Sequence, residues 1–303
     1  MTTFIPFAEG EARLDWIGLT DALLAGHRRP KAEITDSLLY RGADTLLNRS
    51  AWIDGLGVAV KAATIFPGNA AQGAPVVNGA VNLFDDATGA LDAVLDFHLV
   101  TKWKTAADSL LGARLLARPD SRAILIVGAG TVGHSLHAAY SALFPAAEFT
   151  VWNRTADKAR VMAGELGIGW TDDLPGAVAG SDIVTCATMS SEPVIRGDWL
   201  RPGTHLDLIG AYRPDMREAD DTALRRARVF VDSRDTTIHH IGELMTPIAS
   251  GAITEADIVA DYYQPDAMRR QSAEEITVFK NGGGAHLDLM TSRYILDRWT
   301  GGA

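Results

Sequence analysis

Six residues, Gly128-Ala129-Gly130-Thr131-Val132-Gly133, fit the pattern G-x-G-x-x-G. They stand between an apolar run, Ile124-Leu125-Ile126-Val127, and a stretch from Thr131 to Phe144 patterned as a helix. In that setting one glycine permits the tight turn, the next lets the backbone approach a pyrophosphate, and the third lets helix and strand pack closely. Freed backbone N–H groups and the positive end of the helix dipole then hold the phosphates. A ribose without a 2′-phosphate usually meets an Asp or Glu about 20 residues further on. This chain instead has Trp152-Asn153-Arg154-Thr155. Asn153 can bond the ribose, and Arg154 offers a guanidinium fork to a 2′-phosphate. NADPH is therefore the expected cofactor and NADH the alternative. Thr188-Met189-Ser190 follow a later strand, at the sheet edge where such cofactors lie.

Other reactive side chains are few. Lys61 follows a strand-like run, and Lys104 opens a helix face of small residues. A lysine among apolar neighbours usually extends its amine to solvent, so neither position alone implies chemistry. Cys186 is the single cysteine, which excludes an internal disulfide and any multi-cysteine metal site. Its apolar surroundings, Ile183 to Ala187, predict a buried, inert thiol. His239-His240 lacks a third ligand at metal-binding spacing, so no metal is expected.

These residues need elements to position them. A chain of 303 residues predicts two domains. The first segment, to about Pro119, mixes a helix (Ala12 to Ala25) with strand-like runs at Gly57 to Val60 and Val76 to Phe84. Asp85 to Gly89 reads as a turn, and Asp92 to Ala117 as helical until Arg118-Pro119-Asp120-Ser121 breaks it. Strands then alternate with helices: strands at Glu148 to Trp152, Ile183 to Ala187, His205 to Ile209 and Val229 to Asp232, with a helix from Thr155 to Leu166. That rhythm predicts an α/β fold with a parallel, doubly wound sheet. A glycine turn at Gly282-Gly283-Gly284 precedes a last helix from about Asp288, expected to return to the first domain. Apolar residues at 47% and charged residues at 22% are ordinary for a globular chain. A net charge of -10 disfavours nucleic acid and anionic membrane as partners. With no signal-like start and no run of roughly 20 apolar residues, a cytoplasmic protein is expected.

Several motifs, in order, give the chain a wider resemblance. They are Lys61 with Pro67 and Asn69, Gly73-Ala74-Pro75, Asp85 to Gly89, Thr101 to Ala107 and Leu116 to Ser121 ahead of the glycine motif. Gly242-Glu243-Leu244 and Glu275 to Lys280 complete the set. On these the sequence resembles the ornithine cyclodeaminase/μ-crystallin family over nearly its whole length. The resemblance implies a Rossmann-type domain over residues 119–276. It would be inserted into an α+β substrate and dimerisation domain formed by both chain ends, 1–118 and 277–303, and a homodimer would join through that domain. It also implies that Lys61 contacts a substrate carboxylate, that Lys104 stands where the family has a helping arginine, and that Asn69 lies at the substrate. Lysine keeps the charge there but loses the bidentate fork. Asp288 falls where the family has an aspartate near the active site, although a first-turn helix carboxylate is an equal reading. Arg28, Arg29, Lys31 and Arg41 compete for the family's further N-terminal arginine.

Two departures bear on the chemistry. Ornithine cyclodeaminases carry an aspartate after a glycine pair where this chain has Gly210-Ala211-Tyr212, and an acidic residue where it has Asn48. Tyr212-Arg213-Pro214-Asp215-Met216-Arg217-Glu218 instead resembles the bacterial Δ1-pyrroline-2-carboxylate reductase branch. That resemblance implies NADPH-dependent reduction of a small cyclic imino acid, to L-proline or to L-pipecolate. An ornithine cyclodeaminase or amino-acid dehydrogenase is the alternative enzyme, and an NADPH-dependent, μ-crystallin-like ligand-binding protein the alternative of another class.

Overall fold

The computed structural model describes residues 2–301, which fall into two compact units. The first gathers the chain up to Lys104 together with the residues from Gly284 onward, and the second runs from Thr105 to Gly283.

The first unit holds a six-stranded sheet: β1 (Thr3–Ile5), β2 (Glu33–Arg41), β3 (Asp44–Ile53), β4 (Gly57–Ile65), β5 (Val77–Phe84) and β6 (Leu91–Asp96). Their order is β1-β6-β5-β4-β3-β2, antiparallel except for β1 beside β6. Local chemistry sets the boundaries. Asp15 accepts from Gly18 N at 2.6 Å and caps a helix over Trp16–His27, later than the expected start at Ala12. At the β5–β6 turn, Asp85 Oδ1 accepts from Thr88 N (2.9 Å) and Thr88 Oγ1 (2.6 Å). The helix expected from Asp92 begins only at Phe97. Alternation wins before it: Ala93 and Leu95 are buried on one face of β6, and Asp96 then accepts from His98 N and Leu99 N. The closing helix, Ala285–Thr300, packs on β3, β4 and the helix Trp16–His27.

The second unit holds eight parallel strands. They are β7 (Ala123–Val127), β8 (Glu148–Trp152), β9 (Gly169–Trp170), β10 (Ile183–Cys186), β11 (His205–Leu208), β12 (Arg228–Val231), β13 (Ile258–Ala260) and β14 (Thr277–Lys280). The order is β13-β12-β14-β11-β10-β7-β8-β9. All four residues of β10, β11 and β14 are buried, as central strands covered on both faces require. From β7 the chain winds outward to β8 and β9, then restarts at β10 on the other side of β7. That reversal is the switch point at which doubly wound sheets bind ligands.

The division between units differs from the expected 118/119 and 276/277 boundaries. The first lies inside the helix Phe97–Leu116, because that helix passes unbroken from one unit into the other. The second follows β14, which pairs with β11 and β12 in the interior of the parallel sheet. No helix among the described residues is long and apolar enough to cross a membrane.

The parallel sheet buries a titrating group. His205 on β11 is wholly buried with Nδ1 2.9 Å from Thr277 Oγ1, and burial, aided by Arg270, pushes its pKa down to about 3. A histidine depressed in the fold adds stability that is complete above about 6.5 and lost as pH falls toward 3. Urea unfolding of His205→Gln between pH 7 and pH 4 should therefore show a shallower loss of stability on acidification than the parent. Equal slopes would contradict this assignment.

Candidate active site

Lys61 sits at the centre of β4, on the face shared with Ala59 and Ala63, where the strand's buried and half-buried residues alternate. Helix Ala285–Thr300 covers that face and brings Asp288, in its first turn, against the lysine. Lys61 Nζ donates to Asp288 Oδ1 at 2.9 Å and lies 4.7 Å from the centre of the Phe97 ring. Both partners are buried, Lys61 at 6% exposure and Asp288 at 1%. Asp288 Oδ2 is also buried and takes no hydrogen bond from any described residue.

Two further cations act on this pair. Lys104 is buried, and Arg49 stands directly opposite Lys61 across the β3–β4 ladder. Burial lowers the Lys61 pKa; Asp288 opposes that, and the charges of Lys104 and Arg49 add to it. Burial alone would raise the Asp288 carboxyl, but Lys61, Lys104 and Arg49 together hold it below the usual carboxylate range. His286, wholly buried in the same helix turn, is held neutral by burial and by Lys104, with its pKa pushed down to about 3. The result is a cluster of several cations around one ionised carboxylate, suited to an anionic group with a proton to manage.

Arg49 is the residue that sequence reasoning missed. It is anchored by Asp36, its partner across the β2–β3 ladder, through Nε at 3.0 Å and Nη2 at 2.9 Å. Only the pairing of β3 with β4 reveals that it faces Lys61, and neither strand pairing is written in the spacing. Asn69 lies in the turn that follows β4. Its side chain donates to Pro75 O at 2.9 Å and braces the turn Pro67–Gln72.

In the second unit the glycine motif has the geometry a dinucleotide needs. Gly128 has φ +121°, and a Cβ there would lie 2.7 Å from Ala187 O. A Cβ on Gly133 would meet Gly128 O at 2.3 Å, so helix and loop touch. Around Gly130 the space is open to 4 Å. Gly130 N-caps the helix Thr131–Leu143, whose first residues Thr131 and Val132 are exposed. This cradle, which a side chain at position 130 would fill, fits a pyrophosphate on the helix N-terminus. Asn153 Oδ1 accepts from Ala129 N at 3.2 Å and its amide donates to Thr155 O at 3.0 Å, so it shapes the loop. Arg154 and Thr155 are exposed beyond β8. Thr188 is tied to Glu218 by its N–H and hydroxyl, Met189 is 80% exposed, and Ser190 Oγ donates to Glu192 O. Cys186 is buried, and burial raises its thiol well above the ordinary range.

The model of the ornithine cyclodeaminase/mu-crystallin family matches residues 53–303. The chain belongs to this family. It is 54% identical over 301 residues to a Delta(1)-pyrroline-2-carboxylate reductase of Paracoccus denitrificans, covering 96% of this chain and 95% of that one. Among solved structures it resembles the Thermococcus litoralis Delta(1)-pyrroline-2-carboxylate reductase in complex with NADH and L-proline. The TM-score is 0.89 at 25% identity, over 99% of this chain and 98% of that chain. An archaeal alanine dehydrogenase dimer with bound NAD is similar at TM-score 0.88 and 25% identity, over 99% and 96% of the two chains. The expected α/β fold with a Rossmann-type sheet agrees with the observed one.

Removing one member of the buried pair strands the other. Lys61→Met and Asp288→Asn should each cost about 3–5 kcal/mol, the usual penalty for breaking a buried ion pair. In urea unfolding the double variant should lose clearly less than the sum of the two. Additive losses would mean that the two side chains do not act as a pair.

Proposed function

We propose that the protein reduces a small cyclic imino acid with a nicotinamide cofactor, Δ1-pyrroline-2-carboxylate to L-proline being the principal reaction. The carrying observation is the buried Lys61–Asp288 pair beneath the charges of Lys104 and Arg49. The 54% identical reductase supports the same reading.

A nicotinamide cofactor held by the Gly128–Gly133 cradle would supply the hydride that such an imine carbon gains. Lys61, Lys104 and Arg49 attract the substrate carboxylate, and holding it fixes the orientation of the ring. Orientation matters because near-attack geometry, roughly 3–3.5 Å between reacting atoms, can supply several powers of ten in rate. The imine nitrogen must gain a proton as its carbon gains hydride. Lys61, whose pKa burial and Lys104 lower, is the donor we assign, with Asp288 holding its ammonium in place. A substrate arriving already protonated would need only the orientation. The six-membered homologue, giving L-pipecolate, has the same carboxylate and imine and is a second substrate. Arg154 is the residue we assign to the 2′-phosphate, making NADPH the preferred donor and NADH the weaker one.

Oxidation of NADPH should be followed with both cyclic imines, with NADH in parallel. Turnover is expected to fall by at least about 10²-fold in Lys61→Ala, the scale of a lost proton donor. Arg154→Ala should weaken NADPH by on the order of tenfold or more, the worth of a charged hydrogen bond, and leave NADH unchanged. No turnover of either imine despite bound cofactor would reject the reading and direct attention to L-ornithine or to ligand binding without turnover.

The same proposal includes a homodimer through the first unit. β2 is an edge strand with Leu38, Leu39 and Tyr40 exposed at 47%, 65% and 72%. Unpaired edges carrying apolar side chains are seldom left open to solvent. The alanine dehydrogenase dimer supports this. Sedimentation should give a dimer for the parent chain, and Leu39→Lys with Tyr40→Lys should shift it toward monomer; a monomeric parent would refute it.

A further inference from the structure

Glu218 is wholly buried in the second unit, and neither the Lys61–Asp288 cluster nor the glycine cradle uses it. Its side chain links two separate loops. Oε1 accepts from Thr188 N at 2.7 Å and from Thr188 Oγ1 at 2.9 Å, just past β10. Oε2 accepts from Gly210 N at 2.6 Å and from Ala211 N at 3.1 Å, just past β11. Its backbone continues the link: Glu218 O accepts from Val194 N and Ile195 N, and Arg217 N donates to Ser190 O. The loops also touch directly, since a Cβ on Gly210 would lie 2.0 Å from Thr188 O.

A second carboxylate holds the first. Glu243, also wholly buried, accepts from Glu218 N at 2.6 Å and from Ala219 N at 3.0 Å. Lys280 at the end of β14 donates to Leu208 O and Ala211 O, both at 2.8 Å, bracing the β11 loop from behind. Glu218 is thus the hub of a buried network whose outer members are the Thr188–Ser190 and Gly210–Tyr212 loops. Both loops leave the carboxyl ends of strands on one side of the switch point, where the reactive half of a dinucleotide lies in doubly wound sheets.

We propose that Glu218 is a positioning residue that sets the two loops bordering the nicotinamide half of the cofactor site. The inference rests on the proposed reductase reading. Its chemistry follows from donors alone. Three of the four partners are backbone N–H groups, which cannot accept, so a side chain with acceptors at both tips is needed. Glutamine has the right length but presents an NH2 to one of the two loops, which must then move away. A misplacement of about 1 Å in reacting geometry costs on the order of 10²-fold in rate.

The test compares Glu218→Gln with the parent holoenzyme. Binding of NADPH and of its adenosine half, 2′,5′-ADP, is measured by titration; NADH and ADP-ribose form a second pair if NADH is preferred. The expected result is unchanged 2′,5′-ADP affinity, at least tenfold weaker NADPH, and kcat lower by about 10²-fold. The deuterium isotope effect from C4-deuterated cofactor should also increase. Equal weakening of 2′,5′-ADP and NADPH would make Glu218 a general folding group and overturn the proposal. So would unchanged NADPH affinity, kcat and isotope effect. Should Glu218→Gln fail to fold, Thr188→Val removes one hydrogen bond of the same hub and must show the same split on a smaller scale; its absence rejects the proposal. If the parent protein turns over no cyclic imine, the two binding titrations still decide the role of Glu218, independently of the substrate.

Discussion

A lysine on a sheet strand and an aspartate 227 residues later share one buried hydrogen bond, and much of the architecture follows from that constraint. The early segment must keep a face open for the last helix, and everything between must fold as a self-contained insertion. Each charge is tolerable in the interior only because the other is there. The pair is both the reason the ends of the chain meet and the centre of the candidate chemistry.

Desolvation gives the charge cluster its character. In water, Lys61, Lys104 and Arg49 would be three ordinary cations. Under the closing helix, their fields act on a carboxylate with little solvent to screen them, so Asp288 stays ionised despite burial. His286, wholly buried beside it, stays neutral chiefly because burial disfavours its charged form, with Lys104 and Arg49 adding to the effect. A charged group near an uncharged imidazole and a lowered ammonium is an arrangement that a random surface does not produce.

The parallel sheet and its cradle were legible because they rest on local signals. Ile124 to Val127 is a continuous apolar run, and Gly128, Gly130 and Gly133 mark the turn at fixed offsets, all within one strand and one helix. The hairpin β2–β3 was not legible, since β2 is exposed along nearly its whole length and so has no buried face to produce an alternating pattern. β6 was hidden by its continuity with the helix Phe97–Leu116, which begins at the residue after the strand's last, Asp96. Lys61, Lys104 and Asp288 could be singled out by resemblance, but Arg49 needed the strand register, and Glu218 needed the placement of two loops distant in sequence. Long-range pairing of this kind has no local signature in residue order.

The position of β14 has a consequence for biosynthesis. A strand drawn from residues 277–280 is an interior member of the parallel sheet, flanked by strands that leave the ribosome much earlier. The gap between β11 and β12 stays open until residues 277–280 have been made. The helix that completes the other unit follows within a few residues. Both units therefore reach closure within a few residues of each other, and a nascent chain halted before that point has a parallel sheet lacking an interior strand and a six-stranded sheet lacking the helix that covers it. Quality control would meet such a stalled chain with an apolar face still uncovered in each unit.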